Sequence, residues 1–114
     1  MPRRQGASTL TAAIGQRIRM LRNEQGLSLA RVGAGGAGKG HLSSLEHGLV
    51  NPSIAVLDRI AHSTGIEMPY LVCLPNASDR QALIERTRFL SDEEVKMLLR
   101  LLGRPFSAAS GDAT

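Results

Sequence analysis

The sequence predicts an all-α chain, with five short helices in one domain and a C-terminal helical hairpin behind it. Apolar residues recur at three- and four-residue steps in one segment after another. Residues that cap and stop helices stand between those segments, and nowhere do apolar and polar residues alternate as in a strand. A chain of 114 residues closes one modest core. It is too short for a doubly wound nucleotide-binding sheet with helices on both faces.

Residues 1–10 lack periodicity and read as a flexible basic arm containing Arg3 and Arg4. From Thr11, a plausible N-cap, Ile14, Ile18 and Leu21 mark an amphipathic helix ending near Gly26, with Arg17, Arg19 and Arg22 between them. Ser28 caps a short second helix carrying Leu29 and Val32. A glycine-rich stretch, Gly33-Ala34-Gly35-Gly36-Ala37-Gly38-Lys39-Gly40, follows it. A third helix fits His41 to His47, with Leu42 and Leu45 as its apolar pair and Gly48 as its stop. Ser53 caps a fourth helix striped by Ile54, Leu57, Ile60 and Ala61 and ended by Gly65. A fifth runs around Pro69–Cys73. The domain therefore spans 11–75.

Pro75-Asn76-Ala77-Ser78 reads as a linker into a C-terminal helical segment at 76–104, and residues 105–114 as a disordered tail. A sixth helical segment covers Asp79–Phe89. Ser91-Asp92-Glu93-Glu94 is a capping box that opens a seventh, ending near Gly103.

The formal net charge is +4, and the excess lies entirely in residues 1–66, where eight Lys/Arg face Glu24, Glu46 and Asp58. Such a surface releases counterions from a phosphate backbone. One Tyr, two Phe and no Trp leave no stacking platforms for single-stranded nucleic acid. The lone Cys73 excludes a disulfide framework and a Cys-rich zinc site, and reads as a core residue. His47 and His62 read as surface residues, because no other ligand stands at metal-site spacing. No nucleophile is paired with a base, so neither enzyme activity nor any metal or cofactor is expected. No run approaches the ~18 apolar residues of a membrane span, and no apolar stretch follows Arg3 and Arg4 as in a secretory signal. The cytoplasm is the expected location.

The informative stretch is Gly26-Leu27-Ser28-Leu29, then Lys39-Gly40-His41-Leu42-Ser43-Ser44-Leu45-Glu46-His47-Gly48, then Asn51-Pro52-Ser53. Over residues 14–74 the chain resembles the Xre/Cro, phage-repressor-type helix-turn-helix family, several separate pieces agreeing in type and spacing. The resemblance implies a five-helix repressor-like domain whose third helix enters the major groove while its second crosses above the backbone. It implies a sequence-specific regulator of transcription, acting as a homodimer on an inverted repeat of double-stranded DNA. By its residue types alone the third helix suits that role: Leu42 and Leu45 form one face, and Lys39, His41, Ser43 and Ser44 stay outside it. The resemblance places Lys39, Gly40, His41 and Ser44 opposite base edges, with Lys39 reaching either a guanine or a phosphate. It puts Asn51 at a phosphate. Ser53 stands beside the free N–H groups that open the fourth helix, which suit a phosphate oxygen. Arg31, Arg3 and Arg4 are further phosphate candidates. It also implies a two-pronged ion pair between Arg22 and Glu46 that orients the reading helix.

Two features depart from the family. The segment from Gly26 to Gly48 is one residue short of the usual spacing, and Leu29 stands where a phosphate-touching polar residue is common. Gly33, Gly35 and Gly36 each cost a helix about 0.8–1 kcal/mol relative to alanine. A short, frayed second helix and a mobile turn, ordered by DNA, are therefore expected. The same stretch, Gly33-x-x-x-x-Gly38-Lys39, matches most of a phosphate-binding P-loop. However, Gly40 occupies the position of the required hydroxyl, and no strand precedes it.

In the seventh helix Val95, Leu98, Leu99 and Leu102 form one apolar stripe, and Met97 with Leu101 a second. Leu83, Ile84 and Leu90 of the sixth segment are placed to cover one stripe. A second subunit is the candidate to meet the other, with Val95, Met97, Leu98, Leu101 and Leu102 at the interface; the alternative is that both stripes fold back on the fourth and fifth helices. A protein-interaction module with weakened DNA binding, or an antitoxin-type partner protein, are the alternative functions the C-terminal helices suggest.

Overall fold

The structure, a computed structural model, describes residues 9–103. The arm with Arg3 and Arg4, and the tail at 105–114, lie outside the described residues. Those described form seven helices and no strand: α1 (Thr9–Glu24), α2 (Leu29–Gly33), α3 (Lys39–Glu46), α4 (Ile54–Thr64), α5 (Met68–Leu71), α6 (Asp79–Thr87) and α7 (Asp92–Leu101).

One core organises the first five. Ile14, Ile18 and Leu21 of α1 meet Val32, Leu42, Leu45, Leu57, Ile60, Ile66 and Leu71, all buried. Four serine hydroxyls set helix starts, Ser78 by accepting from the amide of Gln81. Ser28, Ser53 and Ser91 accept from the amides of Arg31, Val56 and Glu94, and Glu94 returns the bond to Ser91.

Two starts differ from expectation. The first helix begins at Thr9, so Thr11 is not its cap. Thr11 is a buried residue inside α1 whose hydroxyl donates to Asn51 Oδ1. The third helix begins at Lys39 and ends at Glu46, two residues earlier than His41 at the front. Gly38 turns the chain with φ +88°, and Gly40 then tolerates helical geometry despite its low propensity. The fifth and sixth helices close at Leu71 and Thr87, short of Cys73 and Phe89.

The glycine-rich turn between α2 and α3 has a defined course. Amides of Ala34, Gly35, Gly36 and Gly38 donate to the carbonyls of Ala30, Val32, Gly33 and Gly33 at 2.8–3.1 Å. Close approach explains the composition better than looseness does. A Cβ on Gly33 would lie 2.7 Å from both Gly38 C and Lys39 N, and one on Gly35 would lie 1.9 Å from Ser63 Oγ. The second helix is short, as the glycines require. Near its end Gly33 meets the start of α3, and Gly35 just beyond it meets Ser63 of α4.

The sixth helix is not loosely tethered behind a linker. Arg17, buried on α1, donates through Nε and Nη2 to Tyr70 O at 3.0 and 2.9 Å, and through Nη1 and Nη2 to both Glu85 oxygens. Arg88 joins Glu85 to Glu24 at the end of α1. The Thr87 hydroxyl donates to Ile84 O and therefore accepts from Tyr70 Oη at 2.6 Å. Gln81 Oε1 accepts from the amide of Leu74 at 2.7 Å, and the buried Cys73 thiol donates to Gln81 O. Hydrogen bonds from Arg17 hold the Glu85 carboxyl below the usual carboxylate range. Burial opposes them and bonds from Arg88 add to them.

The seventh helix buries no residue. The expected cover from α6 is missing: Leu83 is 63% and Ile84 39% exposed, because α6 turns its polar residues, not its leucine and isoleucine, toward the domain.

This packing fixes the expected effect of four substitutions. Gly33→Ala is expected to destabilise the fold by about 1–3 kcal/mol, since backbone must move to admit the methyl. Gly40→Ala, with open space around its Cβ, should stabilise it by about 0.5–1 kcal/mol, as thermal unfolding would record. Glu85→Ala leaves Arg17 buried with only Tyr70 O, at a cost of about 3 kcal/mol, the low end for breaking a buried pair. Because the folded pKa of Glu85 is depressed, its stabilisation is complete above the unfolded carboxylate value. It is lost as pH falls through the lower folded value. Unfolding measured against pH should therefore show an acid step that is smaller in Glu85→Gln.

Candidate nucleic-acid interface

α3 divides sharply between its two sides. Leu42 and Leu45 are 0% and 1% exposed, while Lys39, Gly40 and His41 face outward and Ser43 and Ser44 are half-buried at the margin. The side chains of Lys39, His41, Ser43 and Ser44 make no hydrogen bond or ion pair with other described residues. Their donors and acceptors are thus available to an external partner. No side chain caps the N-terminus of α3 at Gly38, so its first amides are open as well.

The buried side of α3 is held from α1. Arg22 Nε lies 2.7 Å from Glu46 Oε2 and Nη2 lies 2.9 Å from Oε1, a two-pronged pair in which Nη1 also donates to Leu27 O at 2.8 Å. The hydrogen bond to Glu46 raises the Arg22 pKa further above its already high value, against burial. Nearby, a Cβ on Gly15 would lie 2.3 Å from Leu45 O, so the glycine lets α1 and the end of α3 touch backbone to backbone.

The turn from α3 to α4 is fixed at both ends. Leu49 N donates to Ser44 O at 2.9 Å, and Gly48, at φ +74°, lies against Ala12. Asn51 is exposed, with its side-chain oxygen occupied by Thr11. The amide hydrogens are what it can offer to a phosphate. Ser53 uses its oxygen as the α4 cap and retains a hydroxyl proton to donate. Arg31 is exposed on α2 and forms no ion pair among the described residues. Lys39, Gly40, His41, Ser43 and Ser44 thus take up the side of α3 that Leu42, Leu45 and Glu46 leave free, with Ser43 and Ser44 half-buried. Arg31, Asn51 and Ser53 stand on neighbouring elements.

Two arginines escaped the sequence reading. Arg17 stands three residues after Ile14 and four before Leu21, inside the helical stripe the sequence displays, and its position signalled burial. Arg59 lays its aliphatic stem across Gly36, where a Cβ would lie 2.4 Å from its Cδ, and so sets a cation beside the α2–α3 turn. No sequence signal pairs those two residues.

Among the described residues no cluster of three His, Cys, Asp or Glu could hold a metal, and no helix is long and apolar enough to cross a membrane. Residues 18–71 match a family model described as a helix-turn-helix. Comparison with curated proteins and with solved structures gave no match.

Arg22→Ala leaves the Glu46 carboxylate buried without its partner, at an expected cost of about 3–5 kcal/mol. Arg22→Lys should recover only part of that, because an ammonium cannot meet both carboxylate oxygens in the same plane. Denaturant unfolding checks both variants; wild-type stability in Arg22→Ala would show that the pair does not hold α3.

Proposed function

From the helix-turn-helix domain of the Xre/Cro type at residues 18–71, we propose that this chain is a transcriptional regulator reading a specific sequence in double-stranded DNA. The observation that carries the reading is the outer edge of α3, polar and unoccupied, on a helix whose other side is locked into the core. A helix of this width fits the major groove, where each base pair displays its own donors and acceptors. In this account Lys39, Gly40, His41, Ser43 and Ser44 face base edges. The Nζ of Lys39 suits guanine O6 and N7, and the serine hydroxyls adapt to donor or acceptor.

Arg31, Asn51 and Ser53 fix the register by meeting phosphates, with Arg3 and Arg4 as further candidates from the arm. One short helix reads few base pairs. A homodimer on an inverted repeat, with half-sites about one helical turn apart, doubles the contacts. The same reading places the protein with its DNA in the cytoplasm. It assigns Arg22 and Glu46 a positioning role without contact to DNA.

The uncovered α7 favours a second reading, a protein-interaction or antitoxin-type module on the same scaffold. Competition titrations separate the two. The regulator is expected to prefer its site over random duplex by at least about 1,000-fold at fixed salt. Affinity that falls steeply with salt but shows no sequence preference would favour the module. Arg31→Ala should weaken binding to all duplexes alike and lower the salt slope by about 1.

A further inference from the structure

We infer that Thr11 is a positioning residue for the phosphate contact of Asn51, and that the first turn of α1 is the seat of the α3–α4 turn. The inference rests on the DNA-binding reading above and adds a residue to it. Thr11 is buried on α1, forty residues before the exposed Asn51, and its hydroxyl donates to Asn51 Oδ1. An amide whose oxygen accepts from a buried hydroxyl turns its two N–H donors away from it, toward solvent. That orientation is the one a phosphate needs, because its oxygens accept and do not donate. The reversed amide would set acceptor against acceptor.

The backbone of the turn is held from the same place. Gly48 lies so close to α1 that a Cβ on it would come within 3.1 Å of Ala12 Cα. Thr11 and Ala12, neighbours on α1, therefore support the turn at Asn51 and at Gly48 respectively. Pro52 adds a local restraint, since the residue before a proline is confined to extended conformations. An exposed side chain ordinarily gives up rotamer freedom when it meets a ligand. One already pinned by its own protein has given it up on folding, and the same contact then binds more tightly.

A double-mutant cycle on the full chain tests this, read as affinity for the duplex the wild type selects and for a random-sequence duplex. Asn51→Ala and Thr11→Val should each weaken binding about 2- to 10-fold, the cost of one side chain left to be ordered. Both duplexes should suffer alike, because phosphates carry no sequence. The salt slope should stay, because a neutral amide releases no counterion. Thr11→Ser keeps the hydroxyl and should recover most of the loss. Thr11→Val added to Asn51→Ala should cost nothing further, whereas a merely structural Thr11 would add its loss in either background. Asn51→Asp sets a carboxylate oxygen where the donors stood and should bind more weakly than Asn51→Ala. Thermal unfolding checks that each variant is folded during the titration, and Thr11→Ala replaces a Thr11→Val that is not. Loss with Asn51→Ala but none with Thr11→Val, or equal losses from Thr11→Val in both backgrounds, overturns the positioning role and leaves the phosphate contact standing. Wild-type affinity in Asn51→Ala removes the contact and the positioning role together.

Discussion

Arg22 stands on α1 and Glu46 on the last turn of α3, and their side chains meet by two parallel hydrogen bonds away from water. Such a pair is a weak argument for stability as such, since apolar residues of similar volume often serve as well. Its value is directional. Leu42 and Leu45 alone would tolerate small rotations of α3 about its axis, whereas a planar guanidinium facing a planar carboxylate accepts few. Rotation of α3 decides whether Lys39, His41 and Ser44 point outward. The reading proposed for the outer edge therefore depends on an interaction at the inner one.

The glycines serve the same end by another route. Gly15 lets α1 approach the carbonyl of Leu45, and Gly33 lets the end of α2 approach the start of α3. Side chains at these positions would force α3 away from α1 and α2. On the far side of α1, Arg17 and Glu24 take hold of α6 through Glu85 and Arg88. One helix thus anchors both α3 and the base of the C-terminal segment.

Much of this was legible in the sequence wherever the signal was local. Ser28, Ser53 and Ser91 start helices because a hydroxyl finds an amide three residues on, and that geometry needs nothing from the rest of the fold. The Ile14, Ile18, Leu21 stripe was equally plain. Contacts between distant segments were not. Thr11 looked like a cap, because nothing local told of Asn51 forty residues on. The glycine run looked loose, because propensity counts the cost to a helix and does not see Ser63 or Arg59 lying against it. Pro75–Ser78 looked like a linker, because the bonds that fasten α6 come from Arg17, Tyr70 and Leu74. The resemblance to a helix-turn-helix family supplied the pairing of Arg22 with Glu46, which spacing alone does not reveal.

The account turns on whether the outer edge of α3 chooses bases. Selection of bound sequences from random duplex DNA, run in parallel on the wild-type chain and on a Lys39→Ala/Ser44→Ala double variant, decides this most directly. The expected result is a two-fold-related motif for the wild type and, for the variant, relaxed preference at defined positions in each half-site. An identical motif from both proteins would contradict it, as would the absence of any motif from the wild type.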